Sequence, residues 1–440
     1  MSLRDGWNGS TSSPSGVLCD DESVVLSGLI ERLRSRLGDR RHATLATADT
    51  SLEELCLALV SSRGEASGIT LASVIIDRYR LLDPVSRREF LTWLNGSLAP
   101  DASTLAEAAR AYIDDPTDAH VIALSSAAEA PRQEFLRRLN QAPGATSAIV
   151  AMRADLLASG RHRSDLRPLD ADMVHLLTSW FNRGFLEMGS VTWSTPADIL
   201  ERIIAYEAVH EITDWEDLRR RLLPEDRRCF AFFHPVMPGE PLVFVEVALA
   251  RGTPQSIVDV LAADRESTDP AAANTAVFYS ISNCQPGLSG VSFGNLLLKQ
   301  VVRDLERELP NVENFVTLSP VPGFAAWVAR DSEAAGSAGA ERSTSDIRRL
   351  ALRYFLSAKR DDGAPVDSVA RFHLRNGAAL HDLIPDANPS ERGQSESLGL
   401  MVSYRYDRSH IEDRHEQYTE DYSVTLSDAL VSEARSLGLI

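Results

Sequence analysis

The stretch from residue 276 to 324 constrains this chain most: AVFYSISNCQPGLSGVSFGNLLLKQVVRDLERELPNVENFVTLSPVPGF. It predicts a strand over Ala276–Ile281, a loop carrying Gly287, Gly290 and Gly294, and a helix starting near Ser292. Leu297, Val301 and Leu305 recur at i, i+4 with charge on the opposite face, and Pro310 stops the helix. Phe315–Leu318 follows as a short strand and ends in a Ser-Pro-x-Pro-Gly turn. A strand that feeds a glycine loop and then a helix N-terminus is the outline of a phosphate cradle. Free backbone N–H groups and the helix dipole both favour an anion there. Ser289, Gly290, Ser292 and Gly294 are small enough to let the backbone approach phosphate oxygens. The loop is neither a Walker A sequence nor a GxGxxG fingerprint, and an ordinary turn into a helix accounts for it as well.

Around this stretch the chain changes character once. Residues 20 to about 165 read as helices throughout, among them Val24–Leu37, Leu52–Val60, Ser67–Arg80 and Asp83–Leu94. Arg63-Gly64, Asp83-Pro84, Ala99-Pro100, Asp115-Pro116 and Ala142-Pro143-Gly144 punctuate them, with Asp101 and Asp118 as candidate caps. No catalytic constellation appears there, so packing or oligomerisation is the expected role. After the break at residues 160–163 come helices over Leu169–Gly184, Pro196–Ala208 and Trp215–Leu223. A hairpin follows, Cys229–Phe233 with Leu242–Leu249, turned by HPVMPGEP. Later elements are a helix over Asp346–Ser357, a short strand or turn over Val369–Leu374, a strand over Leu400–Tyr406 and a helix from Ser427 to Leu437.

At 440 residues the chain can hold two or three domains. The net charge of −18 argues against a nucleic-acid partner, although a local basic patch could still hold a polyanionic small ligand. Lys299 and Lys359 are the only lysines. No run of 18 apolar residues is present, so no membrane span is expected. The polar start, with no apolar core of a secretory signal, reads as a frayed terminus over residues 1–20. Four scattered cysteines form neither CxxC pairs nor a disulfide framework, which fits a reducing cytoplasm.

Four side chains are candidates for chemistry. Ser319, at a strand end between two prolines, is a rigidly aimed hydroxyl, or an ordinary turn serine. No G-x-S-x-G elbow surrounds it. His373 in RFHLRNGA, if extended, shares a face with Arg371 and Arg375, which disfavours imidazolium and suits a neutral partner or proton carrier. His234 is explained by its proline-rich turn, and Cys284 by a small semi-buried position. No His/Cys/Asp/Glu cluster has metal-ligand spacing, so no metal is expected.

The segments FFHPVMPGEPLVFVEVAL, FYSISNCQPGLSGVSFGNLLLKQVV, LSPVPGF, RFHLRNGA and GLMVSYRY, in that order, resemble the malonyl-CoA decarboxylase family from about Leu169 onward. The resemblance implies an all-α helical bundle over residues 21–167 that drives self-association into a dimer or tetramer. It implies an α+β, GNAT acyltransferase-like catalytic domain over 168–440, with a mixed, mostly antiparallel sheet. The loop Ser289, Gly290, Val291, Ser292, Phe293, Gly294, Asn295 would hold the pyrophosphate of CoA, and Ser319 and His373 match the family's catalytic serine and histidine. The implied reaction turns malonyl-CoA into acetyl-CoA and CO2 with no metal, biotin or other cofactor.

The chain departs from the family at Ser289, often Gln or Arg in such loops, and at Ser292, acidic in some members. The connection around residues 334–343 is short, and the chain ends Gly438-Leu439-Ile440 without a peroxisomal tripeptide. A bacterial, cytoplasmic enzyme is therefore expected. Backbone N–H groups at the end of the Ala276–Ile281 strand are expected to stabilise the enolate, with Ser319 and His373 handling its proton and His373 as donor. Arg371, Arg375 and Lys299 are the nearest positive charges for the rest of CoA. The rival readings are a GNAT-type acyl-CoA N-acyltransferase and a non-catalytic acyl-CoA sensor.

Overall fold

The structure is a computed structural model that describes residues 50–61, 65–158, 164–291, 294–330 and 343–440. The expectations for the first 20 residues, for the helix over Val24–Leu37 and for the connection around 334–343 lie outside the described residues. Contacts divide the chain into two units, residues 1–145 and 146–440.

In the first unit every described element is a helix: α1 (Leu52–Ser61), α2 (Glu65–Leu81), α3 (Pro84–Ser97), α4 (Ala102–Asp114), α5 (Asp118–Ala128) and α6 (Pro131–Leu139). Their starts follow the chemistry of orphan N–H groups. Asp83 and Asp101 accept from the first-turn N–H groups of α3 and α4. For α5 the cap is Thr117, one residue before the expected Asp118, and Asp118 sits inside the first turn. Helix α6 packs on α1 and α2, burying Phe135, Leu136 and Leu139 with Leu55, Leu59, Ile75 and Ile76. Each such side chain contributes about 1.5–3 kcal/mol by leaving water. Helices α4 and α5 pair with each other and contain no buried residue.

The second unit opens with α7 (Ala145–Ala158) and α8 (Arg167–Trp180). It is built on an eight-stranded sheet: β1 (Glu187–Ser190), β2 (Arg227–Phe233), β3 (Val243–Ala250), β4 (Thr275–Asn283), β5 (Asn314–Thr317), β6 (Ser319–Pro320), β7 (Ala379–Ile384) and β8 (Met401–Tyr406). The order is β1-β2-β3-β4-β5-β8-β6, with β7 also on β8. Only β4 and β5 run parallel. A helical region followed by a mixed, mostly antiparallel sheet is the architecture the resemblance implies. Strand β3 is buried at every residue but its last, as a sequence apolar on both faces requires; its one charged residue, Glu246, is buried against Arg221. Helices α9 (Ala197–Tyr206), α10 (Trp215–Leu222) and α11 (Ile257–Leu261) precede β4, and α12 (Gly294–Glu308) joins β4 to β5. Val301 and Leu305 of α12 are fully buried, as the i, i+4 ladder predicts, and Leu298 is buried beside them; the side chain of Leu297 lies outside the described residues.

Two features of the sheet position the site. Strands β4 and β5 pair only from Thr275↔Asn314 to Phe278↔Thr317, while β4 runs on along β3 to Asn283. The parallel pair therefore splays beyond Phe278, leaving one edge of β4 free. Strands β5 and β6 keep one register on β8, Val316↔Arg405 and then Ser319↔Val402. Between them the Tyr404 N–H donates to the Thr317 hydroxyl (3.0 Å) instead of a backbone carbonyl. Pro320 and Pro322 bring no N–H to the ladder.

The remaining helices are α13 (Phe324–Arg330), α14 (Thr344–Ser357), α15 (Ser368–Arg375), α16 (Glu391–Ser397), α17 (Ile411–Asp421) and α18 (Asp428–Ser436). Helix α15 corrects the strand or turn expected over Val369–Leu374. Asp367 caps it by accepting from the Ala370 N–H (2.7 Å), and its buried residues Ala370, His373 and Leu374 follow helical spacing. On a helix Arg371 and Arg375 share a face, and His373 points away from them. Among the described residues no helix is long and apolar enough to cross a membrane.

Candidate active site

The wedge between β4 and β5 opens onto a cavity of about 260 Å³. Phe278, Tyr279, Ile281 and Asn283 of β4 form one wall, Ser319 and Pro320 of β6 another, and Ser368, Phe372 and His373 of α15 close it. Ser319 and His373, far apart in sequence, meet here: Ser319 Oγ lies 3.1 Å from His373 Nε2.

The hydrogen bonds around this pair fix its protons. The Ser319 hydroxyl donates to Thr317 Oγ1 (2.9 Å), so its oxygen accepts at the histidine side, from Nε2–H. Nδ1 is then the bare ring nitrogen and accepts from the Tyr406 hydroxyl at 2.8 Å. Burial drives the Tyr406 phenol well above its usual range and keeps it a donor. The chain Tyr406–His373–Ser319–Thr317 thus runs in one direction. The imidazole stacks on the Tyr404 ring, with centroids 4.5 Å apart and planes at 22°. Helix α15 ends just beyond His373, and a helix C-terminus favours a cation by about 0.3–1 kcal/mol. Burial outweighs it: the His373 pKa falls to about 3, so the imidazole is neutral at neutral pH.

A second cavity, about 720 Å³, shares Asn283, Ser368 and Phe372 with the first. The loop residues Leu288, Ser289, Gly290 and Val291 line one side of it. Arg360, Arg371 and Arg375 line another, with Tyr418 and Tyr422 of the α17 region. Of the loop expected to hold pyrophosphate, Ser289, Gly290 and Val291 face this cavity. Gly294 and Asn295 open α12, while Ser292 and Phe293 lie outside the described residues. Gly290 sits at φ +83°, where a side chain is strained. Lys299 does not reach the cavity wall and pairs with Glu412 at 2.9 Å.

The loop is anchored by a residue that the sequence did not single out. Arg153 of α7, buried, donates to the carbonyls of Gly287 (2.6 Å) and Ser289 (2.7 Å) and pairs with Asp170 (2.8 Å). Helix α7 and the loop touch so closely that a Cβ on Gly287 would stand 1.9 Å from the Val150 carbonyl oxygen. Thr317, Tyr404 and Tyr406 were also missed. Their one visible signal is period-two spacing: Thr317 with Ser319, and Tyr404 with Tyr406, alternate onto one face of a strand.

Two other candidates have structural partners. His234 Nδ1 accepts from the Val236 N–H (3.2 Å), and Nε2–H donates to the Trp180 carbonyl (3.1 Å). Cys284 is buried, and burial pushes its thiol far above the range of a reactive cysteine. Among the described residues no group of three or more His, Cys, Asp or Glu side chains could hold a metal ion.

Comparison with known proteins gives the same segments a family. Residues 184–339 and 332–437 match the malonyl-CoA decarboxylase C-terminal domain, and residues 98–181 match the malonyl-CoA decarboxylase N-terminal domain. The crystal structure of malonyl-CoA decarboxylase from Rhodopseudomonas palustris superposes with a TM-score of 0.81 at 46% identity, over 86% of this chain and 98% of that one. The Agrobacterium vitis malonyl-CoA decarboxylase gives 0.80 at 47% identity, over 87% and 99%. The mitochondrial malonyl-CoA decarboxylase of Anser anser anser is 32% identical over 323 residues, 63% of this chain. The match spans 64% of that relative's length. With both domains matched in order, and the sheet, the loop and the Ser319–His373 pair arranged as described, the chain belongs to the malonyl-CoA decarboxylase family.

Proposed function

We propose that this protein is a malonyl-CoA decarboxylase, converting malonyl-CoA to acetyl-CoA and CO2. The observation that carries the reading is that the two cavities share a wall, Asn283, Ser368 and Phe372. A wide one lined by arginines and by the glycine loop stands on one side of that wall, and a narrow one lined by Ser319 and His373 on the other. The wide cavity suits the CoA phosphates. The loop 289–295 would hold the pyrophosphate at the α12 N-terminus, and Arg360, Arg371 and Arg375 supply positive charge. The narrow cavity suits the malonyl group.

In the reaction the electrons of the C–C bond pass into the thioester carbonyl as CO2 leaves, forming an enolate. Backbone N–H groups on the free edge of β4 beyond Phe278 are the proposed donors to its oxygen; one such donor typically carries ~10²–10³ in rate. The enolate carbon then takes a proton. His373 is neutral, so it does not act as an imidazolium acid. The Ser319 hydroxyl turns from Thr317 toward the carbon and delivers its proton, and the His373 Nε2–H stabilises the serine oxygen left behind. Tyr406 keeps His373 in that tautomer. One solvent proton restores the serine in each turnover, and the chemistry calls on no metal or other cofactor.

The reading extends to a cytoplasmic protein that self-associates through its helical region and has no nucleic-acid partner. The test is to supply malonyl-CoA alone and follow CO2. Release without an acceptor supports the lyase. Turnover only when an amine is added would make the protein an N-acyltransferase, and binding without turnover would make it a sensor.

A further inference from the structure

A third cavity, of about 130 Å³, shares no lining residue with the other two and lies by β2, α10 and α11. That is room for roughly four waters at ~30 Å³ each, so it admits a small ion. Its wall carries Arg220, Arg221, Arg227 and Arg265 against one carboxylate, Asp217. The carboxylates nearby are already engaged. Asp217 pairs with Arg220 (3.4 Å) and Arg221 (3.1 Å), Asp226 with Arg265 (2.6 Å), and Glu246 with Arg221 (3.2 Å). Glu246 is a weak counter-charge, because burial pushes its pKa up to about 8.

Arg227 is the guanidinium left over. It is 4% exposed, and among the described residues no carboxylate lies within 4.0 Å of it. Its hydrogen bond goes to the Val260 carbonyl, and it lies 5.6 Å above the ring of Tyr279. The Nε–H of Arg220 is buried without a hydrogen-bond partner. A buried guanidinium without a counter-ion is costly wherever it occurs. Here it lines a cavity of ion size that three other arginines, Arg220, Arg221 and Arg265, also line.

We propose that this cavity binds a small oxyanion of the phosphate or sulfate class, with Arg227 as its buried counter-charge and Arg220 and Arg265 as further donors. The site is separate from the CoA path. It adjoins the reaction cavity through Tyr279, whose ring lies under Arg227 and which also lines that cavity.

The test uses the full chain carrying Arg371→Gln and Arg375→Gln, so that the arginine wall of the wide cavity does not report. Thermal unfolding is followed in inorganic phosphate, in sulfate and in chloride at matched ionic strength, with calorimetric titration of phosphate. The expected result is a saturable rise in Tm with phosphate or sulfate over chloride, abolished by Arg227→Met. Arg220→Gln, at a half-exposed position, covers the case in which Arg227→Met fails to fold. It should weaken phosphate about tenfold or more, the usual loss of a charge-assisted hydrogen bond. Equal stabilisation by chloride, or phosphate binding unchanged in Arg227→Met or Arg220→Gln, would overturn the proposal.

Discussion

At His373 two opposed effects decide the state of the imidazole, and burial wins over the helix C-terminus. The consequence for stability has a definite sign. The folded-state pKa is about 3, below the ~6.5 of the unfolded chain. The unfolded chain therefore takes up a proton that the folded chain refuses. The stabilisation is complete above about pH 6.5 and is lost as pH falls toward 3. At ~1.4 kcal/mol per pH unit, roughly 2 kcal/mol is gone by pH 5. Urea unfolding at pH 7 and pH 5 checks this: His373→Gln should lose about 2 kcal/mol less than the parent, and equal losses would contradict it. For activity, His373→Asn and Ser319→Ala should each lower kcat by ~10²–10⁴, read by CO2 release. Tyr406→Phe leaves the buried Nδ1 without a donor and should cost about 1–3 kcal/mol of stability, read by denaturant unfolding. Ser319 and His373 were legible because each sits inside its own recognisable segment. Thr317, Tyr404 and Tyr406 were not, because their roles come from the register of β5 on β8, which no local pattern carries.

At the level of elements, the site exists because β4 outruns β5. The strand, glycine loop and helix were legible, since each has its own period and its own stop signal. The splay beyond Phe278 was not, because it depends on where β8 pairs. Helix α15 was misread for a related reason. The alternation Phe372–His373–Leu374 looks like a strand, while its helical signal, the Asp367 cap, lies several residues upstream. The contact of α7 with the loop was invisible in sequence, and it yields a sharp expectation. Gly287→Ala forces a Cβ into the Val150 carbonyl, so the loop or α7 must shift. Overpacking of this kind costs ~1–3 kcal/mol or more. A lower Tm together with weakened CoA binding by calorimetry is expected; an unchanged Tm would show that the approach is looser than described.

At the scale of the molecule, the division of labour between helices and sheet was legible from the change in periodicity alone. The division of contacts after residue 145 was not, because Arg153, which anchors the loop of the sheet-bearing unit, lies in a stretch that reads only as helix. The helical region carries the proposed self-association. Helices α4 and α5 contain no buried residue and expose Ile113 and Ile122 at 77% and 66%. The double variant Ile113→Asp/Ile122→Asp should therefore sediment as a smaller species with unchanged circular dichroism, and an unchanged sedimentation coefficient would contradict that role. As proposed, the adjoining cavities together bind malonyl-CoA, which is decarboxylated at Ser319 and His373. Mass spectrometry of malonyl-CoA incubated with the purified protein alone tests this most directly. Acetyl-CoA should appear as malonyl-CoA disappears, with Ser319→Ala and His373→Asn nearly silent. Malonyl-CoA recovered intact from the folded parent protein would contradict the account.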